Sequence, residues 1–138
     1  MTEQLLTEEE LLKMSDNDYM NNRQLAFFKQ KLEEMRDVLM HNAGQTSEHL
    51  RETTVASDPA DRATIEEEHA IELRTRDRER KLLKKIQQSL LRIEKGEYGI
   101  CEDTGEEIGL PRLIARPMTT LTLEAQQRRE LRQKLNGN

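Results

Sequence analysis

The stretch LAFFKQKLEEMRDVL (25–39) and the later stretch LKKIQQSLLRI (83–93) decide the fold between them. Leu25, Phe28, Leu32, Met35 and Leu39 step by 3 and 4, and so do Leu83, Ile86, Leu90 and Ile93. That spacing is the a/d seam of a coiled coil. The seams mirror each other: Leu25/Ile93, Phe28/Leu90, Leu32/Ile86 and Met35/Leu83 share position 59 as midpoint, and Pro59 stands there. The pattern predicts a long antiparallel helical hairpin turning at Asp58-Pro59-Ala60-Asp61. Each arm should be about 50 Å long at ~1.5 Å per residue.

Composition bounds what surrounds the hairpin. Of 138 residues, 36% are charged and 3% aromatic, too little large apolar surface for a thick core. A mainly α protein is expected, its two-helix coiled coil projecting from a small globular domain built from both termini. A net charge of −5 argues against a general nucleic-acid binder. No run of about 18 apolar residues exists to span a membrane, and the N-terminus is acidic where a secretion signal would be basic. The chain is expected to be soluble, cytoplasmic and monomeric. Its one cysteine, Cys101, rules out an internal disulfide.

Local signals place the boundaries. Thr7-Glu8-Glu9-Glu10 has capping-box spacing and predicts a short helix to about Met14. Asp18 or Asn21 should cap the first long helix, which runs to about Thr54 and loses its apolar seam after Leu39. Gly44 softens that polar half. Asp61 is placed to cap a second helix from about Arg62 to Lys95, with Gly96 after its end. Glycines and prolines from Gly96 to Pro117 leave turns and a short hairpin near Ile100 to Leu110. A closing helix should span Thr122 to Lys134, with Leu123, Leu131 and Leu135 near one face. The expected division is 1–18 and 96–121 in the globule, 19–95 in the hairpin with its tip at 58–61, and 122–138 in the closing helix. Leu5, Leu6, Leu11 and Leu12 should pack with Tyr98, Ile100, Ile108, Leu110, Leu113, Ile114 and Leu121.

Positions 101, 104, 122 and 125 have the spacing of a four-cysteine zinc ribbon, but hold Cys101, Thr104, Thr122 and Ala125. A threonine hydroxyl is a poor zinc ligand, and His41, His49 and His69 belong to the hairpin. No bound zinc is expected. Cys101 has two readings, an inert core thiol or a redox-sensing thiolate. Between Arg74 and Lys85 seven basic residues face only Asp77 and Glu79. This is either a solvated helix face with i,i+4 ion pairs such as Glu72 with Arg76, or a surface for an acidic partner. Asp58 and Asp61 are explained locally by turn and cap chemistry.

The motifs Asp58-Pro59-Ala60-Asp61-Arg62-Ala63-Thr64, Glu72-Leu73-Arg74-Thr75-Arg76-Asp77-Arg78-Glu79-Arg80-Lys81, Gly99-Ile100-Cys101-Glu102-Asp103-Thr104-Gly105 and Arg112-Leu113-Ile114-Ala115-Arg116-Pro117 closely resemble the DksA/TraR family. The resemblance covers about residues 19 to 135 and points to a cysteine-poor, zinc-independent member. It implies a non-catalytic transcription regulator whose hairpin enters the secondary channel of bacterial RNA polymerase and modulates promoter open complexes. By the same resemblance, Asp58, Asp61 and Ala63 would form the tip facing the active centre. Arg74 and Arg78 would meet the channel rim. Leu82, Lys85 and Arg116 would help hold the alarmone ppGpp, although Gln126 replaces a family lysine and Arg128 and Arg129 are the nearest substitutes. Direct sequence-specific DNA binding is not expected. The rival readings are a Gre-type stimulator of transcript cleavage by the polymerase, and a plain coiled-coil adaptor.

Overall fold

The computed structural model describes residues 5–52 and 59–137, and the side chains of 44–52 stand outside the description. The architecture is mainly α. Five helices follow in order among the described residues: α1 (Glu8–Leu12), α2 (Asn22–Glu52), α3 (Pro59–Lys95), α4 (Leu110–Ala115) and α5 (Leu123–Leu135). No helix among them is long and apolar enough to cross a membrane.

Local chemistry explains most boundaries. The capping box forms at α1: the Thr7 hydroxyl accepts the Glu10 N–H at 3.2 Å, and the Glu10 carboxylate accepts the Thr7 N–H at 3.3 Å. Asn21 caps α2 by accepting the Gln24 N–H at 2.9 Å. Asp18, the other candidate, lies in a 3-10 turn, Asp16–Asp18. α3 ends in a Schellman motif. The Glu97 N–H reaches the Arg92 carbonyl at 2.9 Å, and Gly96, at φ +74°, donates to Ile93.

Three expectations are corrected. α3 begins at Pro59 rather than Arg62, because proline suits the first helical position, where its missing N–H costs nothing. Asp61 therefore sits inside the first turn and is not the cap. Of the expected turn, Pro59, Ala60 and Asp61 belong to α3, and Asp58 lies outside the described residues. Second, the segment after Gly96 contains a helix, α4, that follows from Pro111 near its start. The expected hairpin is reduced to one bridge, Ile100 with Glu107, flanked by Cys101 N–H to Glu106 and Ile108 N–H to Gly99. Third, Leu5 and Leu12, expected in the core, are exposed. On α5 the face carrying Leu123, Leu131 and Leu135 is also exposed, at 53%, 58% and 77%. The five residues of α1 bury one face only, through Leu11, while α5 is anchored by Ala125.

The chain separates into two units, one of residues up to Leu32 with those from Gln88 onward, the other Glu33–Gln87. In the first, Leu6, Leu11, Phe28, Tyr98, Ile108, Leu113 and Leu121 form the core. The Phe28 ring meets Phe27 edge-on at 5.2 Å and Tyr98 at 5.5 Å. Among the described residues, the second unit consists of the remaining parts of α2 and α3. All eight residues of the four mirrored pairs are buried or half-buried.

Candidate functional site

The first turn of α3 carries Asp61 and Ala63, both exposed. A carboxylate there is favoured by the helix dipole whether or not it meets a partner. The Thr64 hydroxyl donates to the Ala60 carbonyl at 3.2 Å, so the acidic group is presented from ordered helix.

Further along α3 the basic run divides by face. Arg74, Arg78, Arg80, Lys81, Lys84 and Lys85 are exposed, whereas Arg76 is half-buried on the seam side. The Lys81 ammonium pairs with Asp77 at 3.2 Å and Arg74 donates to the Ala70 carbonyl at 3.4 Å. Arg76 makes no ion pair among the described residues, so the expected pair with Glu72 does not form. Six cations against one paired aspartate leave this outward face strongly positive, and like charges so spaced destabilise a helix that has no compensating partner. Leu82 is half-buried beside Lys85.

Arg116 belongs to the other unit, just past the end of α4. It is exposed, and its guanidinium makes no hydrogen bond among the described residues. It lines a cleft of about 510 Å³ whose other lining residues include Arg112, Leu123, Glu106, Glu107 and Glu124. Arg112 is committed to structure, donating to the Leu121 carbonyl at 2.8 Å. Gln126 donates to Glu130 at 3.0 Å. Arg129 is held by Asp103, at 2.9 Å through its Nε, and lies 3.8 Å from Glu102. That pairing keeps the Asp103 carboxyl below its ordinary range. Arg129 is thus occupied, and Arg128 with Arg132 lines a separate cleft beside Asp103 and Thr104.

The degenerate finger is closed by hydrogen bonds. Cys101 and Thr122 are buried, and the Thr122 N–H donates to the Cys101 Sγ at 3.4 Å, with the two side chains 3.8 Å apart. The Thr122 hydroxyl caps α5 by accepting the Ala125 N–H at 3.2 Å. Thr104 accepts the Glu106 N–H at 3.2 Å. Burial pushes the Cys101 thiol up, but hydrogen bonds from the Thr104 hydroxyl and from the backbone of Thr122, Thr104 and Asp103 outweigh it and bring it down to about 7. These residues do not fit zinc. One thiol is available, both hydroxyls are engaged with backbone N–H groups, and the fourth position offers a buried methyl. Among the described residues no group of three His, Cys, Asp or Glu side chains is placed to share a metal ion.

One contributor was missed by sequence reasoning. Tyr19 donates its hydroxyl to the Gly99 carbonyl at 2.7 Å and accepts the Gly109 N–H at 3.0 Å, tying the segment before α2 to both ends of the finger loop. Burial pushes its phenol above the ordinary range. The one available signal was a lone tyrosine in a polar linker.

Two family models match the chain. The family described as DnaK suppressor protein DksA, N-terminal domain, matches residues 24–93. The prokaryotic dksA/traR C4-type zinc finger matches residues 96–131, although this chain keeps a single cysteine of the four. A relative in Caulobacter vibrioides, named RNA polymerase-binding transcription factor DksA, is 51% identical over 122 residues, 88% of this chain and 86% of that one. The protein of the same name in Escherichia coli is 45% identical over 118 residues, 85% of this chain and 78% of that one. The solved structure of transcription factor DksA2 from Pseudomonas aeruginosa is similar at 42% identity and a TM-score of 0.85, covering 93% of this chain and 99% of that one.

Proposed function

The chain belongs to the DksA/TraR family, and we propose that it regulates transcription by binding RNA polymerase through the secondary channel, without zinc and together with ppGpp. The observation that carries this reading is the outward cationic face of α3, Arg74 to Lys85, on a chain whose net charge is −5. A positive stripe on an otherwise acidic protein suits an acidic protein surface and steers association.

Within this reading Arg74 and Arg78 meet the channel rim. Asp58, Asp61 and Ala63 face the active centre, where carboxylates change the stability of promoter complexes by electrostatics and by contact. Leu82, Lys85 and Arg116 are the positions that the family resemblance assigns to the alarmone, and the two cations suit its phosphates. A guanidinium with no internal hydrogen bond is free to form charge-assisted bonds to phosphate. The hydrogen-bonded Cys101–Thr122 knuckle stands in for the metal, so the protein works where zinc is scarce.

The test is transcription in vitro from a ribosomal RNA promoter, with and without ppGpp, in the presence of a zinc chelator. Inhibition that persists under chelation and deepens with ppGpp is expected. An effect abolished by the chelator, or none at all, overturns the proposal. Cleavage assays on stalled complexes in the same system separate regulation from stimulated transcript hydrolysis.

A further inference from the structure

The covered face of α3 within the Glu33–Gln87 unit runs on long after its apolar residues stop. Ile65, His69, Glu72, Arg76, Glu79 and Leu83 are all half-buried and step by 4 and 3, continuing the register of Ile86, Leu90 and Ile93. The only other described element of that unit is α2, whose half-buried residues there include Met35, Leu39 and Ala43. The seam therefore passes from aliphatic layers at Leu83 and beyond to charged ones at Arg76 and Glu79.

Those two charges are not reconciled with each other. One carboxylate oxygen of Glu79 is enclosed and has no hydrogen-bond partner. Arg76, one turn away on the same stripe, makes no ion pair among the described residues. Enclosing a charged group without a partner opposes folding, whereas an aliphatic residue at the same seam position would favour it. A coiled coil with such a layer has unequal halves.

We propose that the Arg76/Glu79 layer is a release point, at which the part of the hairpin carrying residues 59–79 opens separately from the part zipped by Leu83, Ile86 and Leu90. Opening frees the enclosed Glu79 oxygen into water, so the layer lowers the cost of local separation while leaving the aliphatic half shut. The use of this freedom rests on the reading of the tip given above: a tip that must settle against a rigid active centre gains from an arm that yields behind it.

Hydrogen exchange of the full-length protein, wild type against Glu79→Leu and Glu79→Met, tests the proposal. Exchange across 66–79 should slow at least tenfold in both variants, with 86–93 changed less than twofold. No change in 66–79, or equal slowing throughout α3, overturns the release point. Lost helicity or a new oligomer by light scattering in both variants also overturns it, because the layer would then serve to fix register. Asp61→Asn is run beside them in the transcription assay. Full regulation by Asp61→Asn removes the tip reading whatever the exchange pattern shows, and an unmoved exchange pattern removes the release point whatever Asp61→Asn does.

Discussion

Gly96 and Gly99 both hold positive φ, +74° and +86°, yet they tolerate a side chain differently. A Cβ at Gly96 would meet open space, whereas one at Gly99 would lie 2.9 Å from the Met20 Cγ and 3.1 Å from the Tyr19 hydroxyl. Gly96→Ala should cost the left-handed penalty alone, about 1–2 kcal/mol. Gly99→Ala should cost that plus about 1–3 kcal/mol of overpacking. Chemical denaturation of the two variants checks the order, and equal losses would contradict the contact with Met20. Cys101 gives a second residue-level expectation. Its thiol falls from 9.0 to about 7 on folding, so between those pH values the folded chain holds fewer protons than the unfolded one. Stability should rise from about pH 7 to 9, and the contribution should be lost below 7. Cys101→Ala should flatten that slope in thermal melts across the range.

Helix ends and helix faces differ in how much they depend on distant residues. α1, α2 and α3 begin or end where caps and glycines dictate, since Thr7, Asn21 and Gly96 act within four residues of themselves. Faces are a matter of what lies opposite. Phe28 is fully buried against Phe27 and Tyr98, so Phe28→Ala should destabilise by about 3–5 kcal/mol in urea titrations. Val38 and Ile71, exposed at 60% and 58%, should tolerate alanine with little loss in the same experiment. α5 shows the limit of reading faces from spacing. Spacing put Leu123, Leu131 and Leu135 near one face without saying whether anything lies opposite; the helix is held at its start by Thr122 and Ala125, and its leucines remain in solvent.

At the scale of the whole molecule, affinity and effect are assigned to different parts of α3. Arg78→Glu should weaken polymerase binding by about tenfold, roughly 1.4 kcal/mol, and steepen the loss with added salt. Its maximal effect at saturating protein should be unchanged. Direct binding measurements beside transcription titrations separate the two quantities, and a lowered plateau at full occupancy would contradict the division. Part of the fold was legible in advance. Heptad spacing from Leu25 to Leu39 and from Leu83 to Ile93 specified two long helices with buried seams, because a period of 3.5 places every such residue on one side whatever the partner. The cysteine count at 101, 104, 122 and 125 bore against a metal, because ligand chemistry belongs to the residue type. Tertiary structure alone decided the rest. The two hydrogen bonds of Tyr19 join positions 80 and 90 residues apart. The Asp103 carboxylate claims Arg129 from 26 residues away. The Arg76/Glu79 stripe is covered although its composition is that of a solvated face. Burial and pairing of polar groups depend on which surfaces meet, and no local period encodes that.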